Sequence, residues 1–136
     1  MLLHSLTRKE KLKFLDLALH LCSIDGEPSN YEDRILNLML AEIGDDVAAE
    51  YTFKLSDDYD KTIIFFESAP IAVRNIVFLN LSKLPLYDEL YNTEQHFFLE
   101  EIRERFGITV AKKKQLMRLI YDERDLIEKA KKAVNS

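Results

Sequence analysis

The chain contains few residues that break regular structure or cross-link it. Its 136 residues include 3 glycines, 3 prolines and a single cysteine. So few glycines and prolines argue against an all-β fold with many tight turns, and favour helices joined by short connections. One cysteine forms no internal disulfide, so the fold needs no oxidising compartment, and we expect a cytoplasmic protein.

Long apolar runs are also missing. No stretch reaches the roughly 18 apolar residues of a transmembrane helix, and the opening Met-Leu-Leu-His-Ser-Leu is too short for the apolar part of a signal peptide. We therefore expect no direct membrane insertion. An apolar content of 47% suffices for one core, and the length predicts a single domain over residues 1–136.

Charge is distributed unevenly along the chain. Residues 1–102 carry 9 basic and 19 acidic side chains, whereas residues 103–136 carry 10 basic and 5 acidic ones. An acidic body disfavours nucleic-acid binding, because neutralising phosphates requires a basic surface. The basic C-terminal part offers a surface for an acidic protein partner, although most such runs are simply solvated helix faces.

Motifs of catalysis are absent from the sequence. It contains no Gly-rich phosphate loop, no nucleophile elbow and no His-Glu-x-x-His zinc motif. Paired acids such as Asp45-Asp46 occur, but acids at helix starts commonly balance the helix dipole. We predict that the protein is not an enzyme; a small hydrolase with an unrecognised carboxylate site is the enzymatic alternative.

Capping residues mark the helix boundaries. Thr7, Ser29 and Asn92 each precede a Glu or Gln by three positions, a spacing in which the two residues cap each other's backbone. Gly44 and Gly107 follow apolar runs, where a left-handed residue commonly ends a helix. Ser56, Thr109 and Asp122 are candidates for simple caps. Together these signals predict helices at residues 7–23, 30–43, 57–68, 70–84, 93–106, 109–121 and 122–133.

The first and fourth of these helices are apolar almost all round, as is typical of helices at the centre of a bundle. They also belong to an internal repeat, because residues 10–44 align without a gap with residues 73–107. The aligned pairs include Phe14 with Val77, Leu21 with Leu84, Asp25 with Asp88, Ser29 with Asn92, Met39 with Ile102 and Gly44 with Gly107. The repeat predicts an all-α bundle of two pseudo-twofold related helix-turn-helix halves around two buried central helices.

A short pattern surrounds the first acidic turn. Ile24-Asp25-Gly26-Glu27 is followed by Glu32, by Ile35-Leu36 and by Glu42-Ile43-Gly44. This Asp-Gly turn, with a Glu seven residues after the Asp and a Leu-rich helix beyond it, resembles the tellurite-resistance TerB-like domain family. The resemblance extends over residues 8–125, and the segment Asp88 to Gly107 resembles the second copy of the family's repeat.

The resemblance implies an all-α fold in a bacterial, stress-associated protein, with a divalent-cation site at acidic residues of the two turns. Related domains occur as binding modules fused to membrane-anchored DnaJ-type co-chaperones, so we expect a protein partner. The second copy departs from the family pattern, with Glu89 in place of Gly and Gln95 in place of Glu.

The acidic turns have two interpretations. Their spacing excludes an EF-hand, because Gly26 directly follows the first acid whereas the EF-hand glycine is at loop position 6. If the pseudo-twofold axis brings the turns together, they offer Ca²⁺ or Mg²⁺ the oxygen ligands of Asp25, Glu32, Asp88, Glu89 and Glu94. Alternatively, Ser29 and the acids only cap helices.

Tyrosines lie beside the same turns, and tyrosine is enriched at protein interfaces. Tyr31, Tyr87 and Tyr91 are therefore candidate partner-binding residues, although partial burial at a helix junction explains them as well. The leading hypothesis is a non-enzymatic bacterial stress-response or interaction domain that binds a protein partner and a divalent ion. The alternative is a structural or adaptor module of a larger complex that uses the basic C-terminal helices.

Overall fold

The described part of the chain is a bundle of α-helices. A computed structural model describes residues 1–24, 30–54, 58–86 and 92–136, with residues 30–32 described by their backbone alone. A 3₁₀ turn at Leu3–Ser5 is followed by α1 Arg8–Ser23, α2 Asn30–Ile43, α3 Asp45–Glu50, α4 Tyr59–Glu67, α5 Ile71–Leu86, α6 Thr93–Arg105 and α7 Val110–Asn135. Since these residues contain no strand, the predicted all-α class is confirmed.

Side-chain caps start α1, α4, α6 and α7, whereas α3 begins after Gly44 without one. Thr7 accepts a hydrogen bond from the backbone N–H of Glu10, and the Glu10 carboxylate accepts one from the N–H of Thr7, which completes a capping box. Asn92 and Thr109 cap α6 and α7. Helix α4 begins two residues later than predicted, because Asp58 accepts from the N–H of Lys61 and is its N-cap.

The predicted break at Asp122 is wrong. The segments 109–121 and 122–133 were predicted as separate helices with Asp122 as a cap, but α7 runs unbroken from Val110 to Asn135. No glycine or proline follows Gly107, so nothing in the backbone interrupts the helical hydrogen bonds. Asp122 is an exposed residue within the helix.

Helix α5 lies at the centre of the bundle. It contacts α1, α2, α4, α6 and α7, and the nine consecutive residues Val77–Pro85 are all buried. Helix α1 packs against it and buries Phe14, Leu17 and Leu21 completely. Each such side chain contributes about 1.5–3 kcal/mol to folding, and this pair of helices forms the centre of the core.

The helix boundaries agree with the internal repeat. Helices α1 and α5 are both 16 residues long. Phe14 and Val77 are both fully buried, and so are Leu21 and Leu84. These aligned positions are therefore buried in both copies, while the pseudo-twofold axis between the copies stays a prediction.

Candidate functional site

The acidic turns lie largely outside the described residues. Outside the residues whose side chains are described lie four predicted metal ligands, Asp25, Glu32, Asp88 and Glu89, the three candidate tyrosines Tyr31, Tyr87 and Tyr91, and the cap at Ser29. The fifth ligand, Glu94, is exposed in the first turn of α6. No group of three or more His, Cys, Asp or Glu side chains within the described residues is placed to hold a metal. The cation site therefore stays a prediction.

Gln95, which replaces the Glu of the family pattern, has a structural role. Asn92 caps its backbone N–H at 2.8 Å, as predicted. The Gln95 side chain is buried, and its Nε2 donates to the backbone carbonyl of Leu21 in α1 at 3.3 Å. A glutamate carboxylate has no proton to donate at neutral pH, so only the amide forms this link between α6 and α1.

An aromatic groove adjoins Glu94. The His20 ring stacks on Tyr59 with 4.3 Å between ring centroids and also contacts Phe98, while Phe97 stands exposed beside them. Burial lowers the pKa of His20, and the nearby carboxylate of Glu101 opposes this only in part. His20 is therefore neutral at pH 7. The groove joins three helices, so no local sequence motif indicates it.

A pocket of about 300 Å³ opens between α5, α6 and α7. Phe78, Leu99 and Met117 provide apolar lining, and Glu100 and Lys113 are among the polar groups on its wall. Such a mixture suits a small ligand with an apolar body and a polar edge.

The charged pair on this wall holds two helices together. Glu100 in α6 is bound by Lys113 of α7 and by Nε of Arg103 at 2.9 Å. Burial raises the pKa of Glu100, but the hydrogen bonds from the two cations outweigh burial and keep this pKa below its usual value. A proton donor works best with a pKa near the working pH, so this carboxylate is a structural ion-pair partner and a poor general acid.

The two halves of α7 have different surroundings. Leu116 and Ile120 are buried against the body, and Glu123 forms an ion pair with Lys83 of α5 at 2.7 Å. Every residue from Arg124 to the end of the chain is exposed. We call Arg124–Asn135 the projecting half of α7.

An exposed apolar row runs along α7. Leu119, Leu126 and Ala133 are spaced seven residues apart and, with Ala130, form what we call the outer stripe. Leu126 is 66% exposed. Residues seven apart lie nearly above one another on a helix, as in a coiled-coil seam. The row crosses the boundary wrongly predicted at Asp122, and this is why the sequence analysis missed it.

No family model, curated protein or solved structure matches the chain. Among the residues that the structure describes, no helix has both the length and the apolar character needed to cross a bilayer. The TerB-like resemblance therefore stays a prediction, and the geometry of the described helices is the basis for the functional proposal.

Proposed function

We propose that this protein is a non-enzymatic interaction domain and that the outer stripe of α7 is its contact surface. The observation that carries the proposal is the heptad spacing of Leu119, Leu126 and Ala133 on a helix whose residues from Arg124 onward are all exposed. Exposed leucines that occur singly are normal on protein surfaces. A row of apolar side chains at the spacing of a helix–helix seam is typical of recognition by helix packing.

The body supports this surface by fixing the first half of α7. Ile120 is 1% exposed, Lys83 pairs with Glu123, and Lys113 pairs with Glu100. A helix held in this way loses little conformational freedom when a partner binds, which favours affinity.

The same contacts favour the apolar surface of α7 over the basic one as the contact surface. The adaptor hypothesis relied on basic residues that include Lys112, Lys113 and Lys114. Lys113 already pairs with Glu100 within the chain, and Lys112 donates to Gln115. We therefore place the contact on the outer stripe. The resemblance to TerB-like domains supports a binding module, and a role in bacterial stress response is part of the same proposal.

Site-specific photo-crosslinking in cells that express the protein naturally tests the proposal. A photoreactive amino acid replaces Leu126, and a matched control replaces Ile71, which is 53% exposed at the start of α5. We expect a discrete adduct at position 126 and none at position 71, and mass spectrometry identifies the adduct. No adduct at position 126, or equal adducts at both positions, would contradict the proposal.

A further inference from the structure

We infer that the outer stripe binds the outer stripe of a second copy of this chain, with the two α7 helices antiparallel. The inference rests on the proposed function, because it names the occupant of the same surface. Two features of α7 support it: the order of large and small apolar side chains along the stripe, and the charges that border it.

The apolar side chains match in an antiparallel pair centred on Leu126. In this register Leu126 meets Leu126 of the second copy, and seven residues away on either side Leu119 meets Ala133 of the second copy. Seven residues correspond to about 10.5 Å along a helix, so the three contacts follow each other at the spacing of coiled-coil layers. A large side chain thus faces a small one at both ends of the seam, as close packing requires.

The charges beside the stripe favour the same orientation. Asp122 and Lys129 are both exposed and lie on the same side of the stripe. Asp122 precedes Leu126 by four residues, and Lys129 follows Leu126 by three. In the antiparallel register, Asp122 of each copy lies beside Lys129 of the other, and symmetry forms this attractive pair twice. In a parallel pair the twofold axis runs along the helices, so the flank that carries Asp122 and Lys129 faces the opposite flank of the second copy and this attractive pair does not form. Only the antiparallel alignment gains the two pairs, so the charges favour it.

The anchoring of α7 leaves room for this arrangement. Glu123 is held on its own body and Ile127 still borders a cavity with residues of α2, whereas Leu126 and the turns after Ile127 are exposed. An antiparallel pair therefore places the two bodies at opposite ends. The overlap from Leu119 to Ala133 spans about 21 Å, which makes a small interface, so we expect weak and reversible dimerisation.

Cysteine crosslinking of the purified full chain tests the register. The native Cys22 is buried, so the unchanged protein is the background control. Under mild oxidation we expect Leu126→Cys to form disulfide-linked dimers, Ala133→Cys alone to form few, and a mixture of Leu119→Cys and Ala133→Cys chains to crosslink with each other. Crosslinking of Ala133→Cys as efficient as that of Leu126→Cys would indicate a parallel pair and overturn the inference.

Analytical ultracentrifugation over a range of protein concentrations measures dimerisation and tests the pairing of Asp122 with Lys129. We expect Lys129→Glu and Asp122→Lys each to weaken dimerisation about tenfold, since each change places two like-charge pairs at the seam. The double variant Asp122→Lys/Lys129→Glu should regain most of the affinity. Because both residues are exposed, the melting temperature of the monomer should not change.

The outcomes separate this inference from the proposed function. A purified chain that stays monomeric at all concentrations, together with an adduct between position 126 and a different protein in cells, overturns self-pairing and supports the interaction domain. A monomer without any adduct in cells overturns both.

Discussion

Removing the carboxylate of Glu123 should destabilise the protein by about 2 to 4 kcal/mol. Its partner Lys83 is only 9% exposed, although it carries an ammonium group. The Nζ atom of Lys83 lies 2.7 Å from Oε1 of Glu123, and this contact joins the central helix α5 to α7. A cavity of about 80 Å³ beside the pair is also lined by Met1 and Glu42.

The size of this destabilisation follows from the charge of Lys83, which loses its partner. Breaking a buried ion pair by removing one partner typically costs about 3 to 5 kcal/mol, because the remaining ion is uncompensated. The Glu123 side chain is 28% exposed, so water solvates part of the site, and Glu42 lies nearby. Both features reduce the cost to about 2 to 4 kcal/mol, which lowers the melting temperature of a chain of this length by roughly 7 to 14 °C.

Urea denaturation followed by circular dichroism provides the measurement, with Glu123→Ala compared with Lys83→Met/Glu123→Leu. The double variant removes both charges and keeps most of the volume, so it should return to within about 1 kcal/mol of the unchanged protein. The reasoning is refuted if Glu123→Ala costs less than about 1 kcal/mol, or if the double variant is no more stable than the single one. Either result would show that an uncompensated charge on buried Lys83 is not the cause of the destabilisation.

Three further predictions concern the core, the acidic turns and His20. Phe14→Ala and Val77→Ala should each cost about 2 to 5 kcal/mol, because both side chains are fully buried at equivalent positions of the repeat; unchanged melting curves would contradict this. If the acidic turns bind Ca²⁺ or Mg²⁺, a free ion concentration of about 100 times Kd should add roughly 2.7 kcal/mol. The capping interpretation predicts instead a flat titration and a loss of about 1 kcal/mol in Ser29→Ala with or without metal. Because burial lowers the pKa of His20, the unfolded chain binds the proton more tightly. Stability should therefore fall as the pH drops below about 6.5. His20→Phe should reduce this loss, and an imidazole pKa at or above the ordinary value in an NMR titration would refute the reasoning.

Local chemistry explains why much of the fold was predictable from sequence. The caps at Thr7, Asn92 and Thr109 depend on residues within one turn, so their spacing in the sequence suffices to place the helix starts. The buried faces of α1 and α5 follow from apolar residues that surround each helix.

Tertiary contacts explain what the sequence did not predict. Gln95 has the spacing of a capping-box residue, but its side chain bonds the carbonyl of Leu21, and a contact over such a distance in the chain has no local signature. Asp122 has the residue type of an N-cap, yet the packing of Ile120 and the pair between Glu123 and Lys83 hold α7 in one piece around it. The outer stripe became visible only when α7 was found to be continuous.

The interaction surface exists only if α7 is one straight helix that extends beyond the body. A distance measurement by electron paramagnetic resonance between spin labels in Lys114→Cys/Lys132→Cys tests this, since both positions are exposed and Cys22 is buried. Eighteen residues make five full turns, so the labels point to the same side of the helix at a separation of about 27 Å. Dilution with unlabelled chain leaves only distances within one copy. A narrow distribution near this separation is expected, whereas shorter or broadly scattered distances would show that the second half of α7 bends back or unfolds and would remove the surface on which the proposed function depends.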